Sequence, residues 1–126
     1  MIIIGHKLVN FKPFFKIIEV EDIKSTPSNS TIVFDYSKKG IEILKYAEQN
    51  SLNFAVMVED VSQIMIANSY GASFFIVNRE LVLVAQKIAD EYLFDAKILL
   101  QGESEADLEF AAKNFIDGIV FNEGIV

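Results

Sequence analysis

The chain has 126 residues, of which 52% are hydrophobic and 23% charged; its formal net charge is −7 and it contains no cysteine. This composition supports a folded core rather than a disordered chain, and the negative charge disfavours general binding to nucleic acids or anionic lipid. Without cysteine there are no disulfides, no thiol catalysis and no thiolate metal sites, which fits a reducing compartment.

The length favours one domain over residues 1–126. No run is long and apolar enough to cross a bilayer. The apolar start Met1–Ile4 has no basic residues before it and no small-residue cleavage site after it, so we interpret it as a strand rather than a signal peptide. We therefore expect a cytoplasmic protein that binds neither membranes nor nucleic acids.

The first 30 residues contain two strand-like runs, Met1–Gly5 and Phe15–Val20, with Pro13 between them. We expect them to form an edge strand or a hairpin that feeds the main sheet. The stretch Glu21–Ser25 is interpreted as a short helical turn, and the following Thr26–Ser30 has turn chemistry.

Beyond residue 30 the sequence alternates regularly between short, continuously apolar runs and mixed segments. Such runs are typical of strands buried on both faces. The predicted strands are Thr31–Tyr36, Phe54–Val58, Ser73–Val77, Lys97–Leu100 and Gly118–Phe121. They begin about 20 residues apart, which suits one strand and one covering helix in each unit.

The mixed segments have helical periodicity. A helix is predicted at about Lys39–Asn50 and another at about Asp60–Tyr70, and two more follow the proposed N-caps Asn78 and Ser104. The third helix is expected to bury Leu81, Val84, Ala85, Ile88 and Tyr92. The fourth is expected to bury Leu108, Ala111, Ala112 and Phe115. We assign Gly71 and Gly118 to helix ends.

Alternating strands and helices predict an α/β fold with a mostly parallel sheet and right-handed crossovers. Our first choice is a single three-layer α/β/α domain with a doubly wound sheet of five to six strands. The alternative is half of a (βα)8 barrel that is closed by dimerisation.

The segment KILLQGESEADLEFAAKNFIDGIVF, residues 97–121, resembles the later βαβ segments of phosphate-binding (βα)8 barrels in its hydrophobic pattern. This resemblance implies a phosphate site in the loop after the strand. In this chain, however, Gly102 is followed by Glu103, Glu105 and Asp107, which complement the helix dipole and repel phosphate. We therefore interpret the loop as a structural turn.

Receiver domains have a similar length and alternation. Glu21 and Asp22 could match the acidic pair of that family, and Asp60 its phospho-accepting aspartate. However, Asn78 stands near the position of the hydroxyl residue, and Lys97 lies at the wrong end of the fifth strand. This resemblance therefore implies at most a degenerate relative that is not phosphorylated.

Four acidic residues, Asp35, Glu59, Asp60 and Glu103, fall at or just after predicted strand ends. In an open α/β sheet the ligand crevice lies outside those ends, so these carboxylates could hold Mg²⁺ or a cationic ligand. The other interpretation, which we favour, is that Asp60 caps its helix and the rest are solvated. No cofactor other than Mg²⁺ is expected.

One strand–helix junction is basic. Ser37, Lys38 and Lys39 could hold an anion at that helix start, although lysines at such places are more often solvated. The single histidine, His6, supports neither a histidine-based metal cluster nor, without a positioned serine, a triad.

Three apolar residues, Ile66, Tyr70 and Leu83, point away from the predicted core faces of their helices. A joined apolar patch usually marks a partner surface, so we expect a homodimer or another protein partner.

The sequence favours a structural or regulatory module without catalysis of its own, acting by self-association or protein binding. The alternative is a domain or enzyme that binds Mg²⁺ or a small ligand in the acidic crevice.

Overall fold

The computed structural model describes all residues from Met1 to Val126. Its strands are β1 Ile2–Ile4, β2 Phe14–Lys16, β3 Thr31–Asp35, β4 Phe54–Met57, β5 Phe74–Val77, β6 Lys97–Gly102 and β7 Gly118–Phe121. Its helices are α1 Lys38–Gln49, α2 Val61–Asn68, α3 Arg79–Glu91 and α4 Glu105–Lys113. Two 3₁₀ helices cover Val20–Ser25 and Asn122–Gly124. The α/β alternation predicted beyond residue 30 is confirmed.

All seven strands belong to one parallel sheet, in the order β1-β7-β6-β5-β4-β3-β2. The predicted number of five to six strands is too low, because the N-terminal segment contributes two strands of three residues each. They do not form a hairpin. Strand β1 pairs with β7 and β2 pairs with β3, so each lies at one end of the strand order.

One face of the sheet is packed against itself. A cluster of seven buried side chains, here called the inner cluster, takes one residue from every strand and none from a helix. Its members are Ile4, Phe14, Val33, Ala55, Ile76, Leu99 and Val120. The ring centroids of Phe14 on β2 and Phe74 on β5 are 5.0 Å apart. In a flat sheet these strands would be separated by about 14 Å, so the sheet must be strongly curled.

The architecture is therefore a half-barrel with its helices on the outside, as in the second predicted arrangement; the closure by dimerisation that belonged to that arrangement stays a prediction. The three-layer arrangement is not formed, because no helix contributes to the inner cluster. The larger outer cluster of 25 buried residues lies where the helices pack on the sheet.

The buried face of α3 differs from the prediction. Val82 is fully buried, whereas Val84 is 44% exposed. The buried face includes Gln86, a polar residue that is only 5% exposed. Its Oε1 accepts a hydrogen bond of 2.9 Å from the Asp117 N–H, and its Nε2 donates one of 3.0 Å to Asp90. Because its polar atoms are satisfied, Gln86 can lie on the buried face, which periodicity of apolar residues alone does not reveal.

The chain that follows β7 reaches the opposite edge of the sheet. Ile125 forms a parallel bridge with Phe14 of β2. The Lys16 N–H donates to the Val126 carbonyl at 2.8 Å, and the Val126 N–H donates to the Phe14 carbonyl at 2.9 Å. The Ile125 side chain packs against the inner cluster. We call the gap between β1 and β2 the seam; residues 125–126 cover the β2 side of it.

Candidate functional site at the mouth of the half-barrel

The carboxyl ends of all seven parallel strands lie at one end of the half-barrel, which we call the mouth. In barrels of parallel strands, binding and catalytic residues lie at this end. Two cavities occur here. The larger, of about 550 Å³, lies beside His6 and is called the His6 pocket. The smaller, of about 200 Å³, lies beside the start of α1.

The His6 pocket is built by segments that are distant in the sequence. Strand β1 ends just before Gly5 and His6, the loop after β6 supplies Glu103, the start of α4 supplies Glu105, and the segment after β7 supplies Glu123. They meet because β7 lies between β1 and β6 in the sheet. The strand order therefore creates this pocket.

His6 is held at three points. Its Nδ1 accepts a hydrogen bond of 3.1 Å from the Leu8 N–H, and its Nε2 lies 3.3 Å from Oε1 of Glu105. Its ring packs edge-on against Phe121, with centroids 5.7 Å apart. Because Nδ1 is an acceptor, a neutral ring carries its proton on Nε2 and donates it to Glu105. The contacts at both ring nitrogens thus fix the orientation of the imidazole in the pocket.

The pocket is acidic. Glu103, Glu105 and Glu123 line it, and Lys7 is the one lysine or arginine in its lining. Phe11, which is 36% exposed, and Phe121, which is 7% exposed, also line it. Carboxylates attract cations, and aromatic faces bind them through the ring quadrupole. This lining can therefore accept a positively charged small molecule.

The smaller cavity brings Asp35 together with the three anion-site candidates Ser37, Lys38 and Lys39. Ser37 caps α1, since its Oγ accepts a hydrogen bond of 3.1 Å from the Gly40 N–H. Lys39 forms an ion pair of 3.2 Å with Glu19. Two of the three candidates therefore already have intramolecular partners.

Asp35 also has a partner. Its Oδ1 lies 3.2 Å from Nζ of Lys16, and the same ammonium lies 3.4 Å from the sulfur of Met57. The three residues come from the neighbouring strands β2, β3 and β4. Lys16 was not singled out from the sequence, because its pairing with Asp35 depends on β2 lying beside β3.

The four acidic crevice candidates do not converge on one site. Asp35 pairs with Lys16, Glu103 lines the His6 pocket, and Asp60 caps α2. Glu59 is exposed, and its N–H donates to the Gln63 side chain at 2.8 Å. No group of three or more histidine or acidic side chains is arranged to hold a metal ion. The predicted crevice is thus divided among separate places.

Asp60 acts as the predicted N-cap. Its carboxylate accepts hydrogen bonds from the Gln63 N–H at 2.9 Å and from the Ser62 hydroxyl at 2.8 Å. These bonds favour the ionised form, so they lower the pKa of Asp60 below its ordinary value of 3.8. The ionised cap therefore stabilises α2 above about pH 4, and this stabilisation is lost as the pH falls through the lowered pKa.

We expect Asp60→Asn to lower the free energy of unfolding at neutral pH, because a neutral amide is a weaker acceptor for these donors. The difference from the unmodified chain should shrink as the solution is made acidic. Urea unfolding measured across the acidic range checks this. The matched control is Asp95→Asn, which removes an exposed carboxylate for which no hydrogen bond is found. A difference that stays constant with pH for Asp60→Asn would contradict the expected linkage.

The interface candidates separate into two kinds. Ile66 on α2 is 49% exposed and Leu83 on α3 is 50% exposed. Tyr70, which follows α2, is partly buried and packs against the outer cluster. Helices α2 and α3 contact each other. An interaction surface on these helices would therefore depend on Ile66 and Leu83 more than on Tyr70.

None of the helices combines the length and the apolar character that a membrane crossing requires. A comparison with protein-family models finds no match for this chain, and neither does a comparison with curated proteins.

Proposed function

We propose that this chain is a small-ligand-binding half-barrel that takes an organic cation in the His6 pocket. The observation that carries the proposal is the position of His6. Hydrogen bonds and an aromatic contact hold it at the mouth of a barrel of parallel strands, beside the Glu105 carboxylate.

The size of the pocket supports this function. Small-molecule sites commonly have volumes of about 300–1,000 Å³, and the His6 pocket has about 550 Å³. The charge of its lining supports a cationic ligand, because the carboxylates of Glu103, Glu105 and Glu123 outnumber the single ammonium of Lys7. An amine or guanidinium group could bind to these carboxylates.

Thermal melting with putrescine or agmatine as the probe tests the proposal. A ligand at a hundredfold excess over its Kd stabilises the folded chain by about 2.7 kcal/mol, so the melting temperature should rise with probe concentration. Glu105→Gln should remove most of that rise. Glu91→Gln, which removes the same charge from the exposed end of α3, should keep it.

Two results would overturn this function. One is a melting temperature that does not respond to either amine. The other is an equal response in Glu105→Gln and in Glu91→Gln, since the effect would then come from net charge rather than from the pocket. A rise with Mg²⁺ but with neither amine would favour the metal alternative over an organic cation.

Self-association is the second candidate function, and it corresponds to a structural or regulatory module. Its support is the half-exposed pair Ile66 and Leu83 on the contacting helices α2 and α3. If this surface forms a homodimer, Leu83→Asp should convert the dimer to monomer in sedimentation velocity experiments. Leu93→Asp is the matched control, since Leu93 is 86% exposed and lies beyond the end of α3. A monomer at every concentration of the unmodified chain would contradict this candidate.

A further inference from the structure

The largest cavity of the half-barrel lies at the seam rather than at the mouth. It has a volume of about 720 Å³ and is bordered by β1 and by the start of β2. Ile2, Ile4, Phe14 and Phe74 line it, and all four also belong to the inner cluster or pack against it. The cavity is therefore continuous with the apolar interior of the curled sheet.

Apart from Thr31 at the start of β3, the polar side chains of the lining lie on connecting segments. Residues 28–30 contribute serine and asparagine side chains, and Lys12 comes from the segment that joins β1 to β2. Lys12 is exposed and makes no ion pair. The lining contains no aspartate or glutamate. In a chain of net charge −7, this cavity thus combines an apolar floor with an unpaired ammonium.

We infer that the seam cavity binds an elongated apolar molecule that carries one carboxylate, of the class of medium-chain carboxylic acids. The apolar chain would replace water against the side chains of Ile2, Ile4, Phe14 and Phe74, which is favourable in proportion to the apolar area removed from water. The carboxylate would lie beside Lys12, where a charge-assisted contact is available and no acidic side chain competes.

This site is independent of the function proposed for the His6 pocket. The two cavities have opposite charge, and the ligand classes they favour differ accordingly. Phe11 is the one residue that lines both, so it is left unchanged in the experiments. A failure of amine binding at His6 would leave the seam inference standing, and the reverse also holds.

Isothermal titration calorimetry with decanoate, below its micelle concentration, tests the inference on the full chain. We expect saturable binding to the unmodified chain and a Kd about tenfold higher for Lys12→Gln, equivalent to losing one charged contact of about 1.4 kcal/mol. Lys7→Gln, which changes a lysine of the His6 pocket, should leave the decanoate Kd unchanged. Urea unfolding of each variant verifies that it is folded.

Charge reversal gives a second, sharper comparison. Lys12→Glu should abolish decanoate binding and should raise the affinity for decylamine, which has the same chain and the opposite charge. Decanoate and decylamine binding equally well to the unmodified chain would overturn the inference, because Lys12 would then not select the carboxylate. The absence of saturable decanoate binding to the unmodified chain would overturn it as well.

Discussion

Replacing Leu99 with alanine is expected to lower the free energy of unfolding by about 2–5 kcal/mol. Leu99 is fully buried, and it belongs to the inner cluster that the seven strands form among themselves. Its side chain therefore contacts other strands across the curled sheet, where no helix can move in to fill the space. Rigid surroundings that cannot collapse around a deletion give losses near the upper end of that range.

Two neighbours on β6 serve as matched controls for Leu99. Leu100 is equally buried but belongs to the outer cluster beneath the helices, so Leu100→Ala should cost a similar amount. Gln101 is exposed, and Gln101→Ala should change the free energy of unfolding by no more than about 0.5 kcal/mol. Urea unfolding curves give all three values. If Leu99→Ala resembled Gln101→Ala, the inner face of the sheet would be hydrated and the curled packing would be refuted.

The strands beyond residue 30 could be predicted because the burial of each strand is visible in the apolar residues of the strand itself. A run such as Phe54–Met57 is apolar at every position, as a strand covered on both faces must be. The curl of the sheet could not be predicted in the same way. Val33 is buried by other strands and Phe34 lies in the outer cluster, yet both positions simply contain apolar residues. What covers each face is a property of the whole sheet.

Two assignments near the end of α4 were wrong for a related reason. Phe115 was expected in the core, but the helix ends at Lys113, and Phe115 is 87% exposed with a positive φ of 57°. Gly118 was assigned both to a helix end and to the start of the strand Gly118–Phe121; the strand is confirmed, since Gly118 is the first residue of β7, and the helix-end role is not. A Cβ atom there would come within 2.5 Å of the Ile2 carbonyl oxygen. The glycine therefore permits the close approach of β1, a strand more than 100 residues earlier in the chain.

The contacts in the candidate site were even harder to predict from the sequence, because they join distant parts of the chain. His6 was noted as the single histidine, but its partner Glu105 lies 99 positions away. Their contact requires β1 to be placed beside β7 and β7 beside β6. The N-cap role of Asp60 was predicted correctly, because a cap depends on residues only three positions away. Contacts between distant strands have no comparable local pattern.

The seam is where the second large effect is expected. Ile125→Asp should lower the free energy of unfolding by about 2–4 kcal/mol, because it removes a partly buried apolar side chain and places a charge against the inner cluster. The bridge between Ile125 and Phe14 should open as well. The half-barrel would then lose the contact by which the segment after β7 reaches the β2 edge.

Hydrogen exchange separates this local opening from a general loss of stability. The Lys16 N–H donates to the Val126 carbonyl, so its exchange should accelerate in Ile125→Asp more than that of amides in β5 or β6. The matched control is Ile18→Asp, which introduces the same charge at a side chain that is 66% exposed, and it should change the free energy of unfolding by less than about 0.5 kcal/mol. Two results would contradict this prediction: an equal loss of stability in both variants, or an exchange of the Lys16 N–H that is no faster than that of the central strands. Either result would mean that the bridge at Ile125 does not stabilise the seam and that β2 is positioned by its pairing with β3 alone.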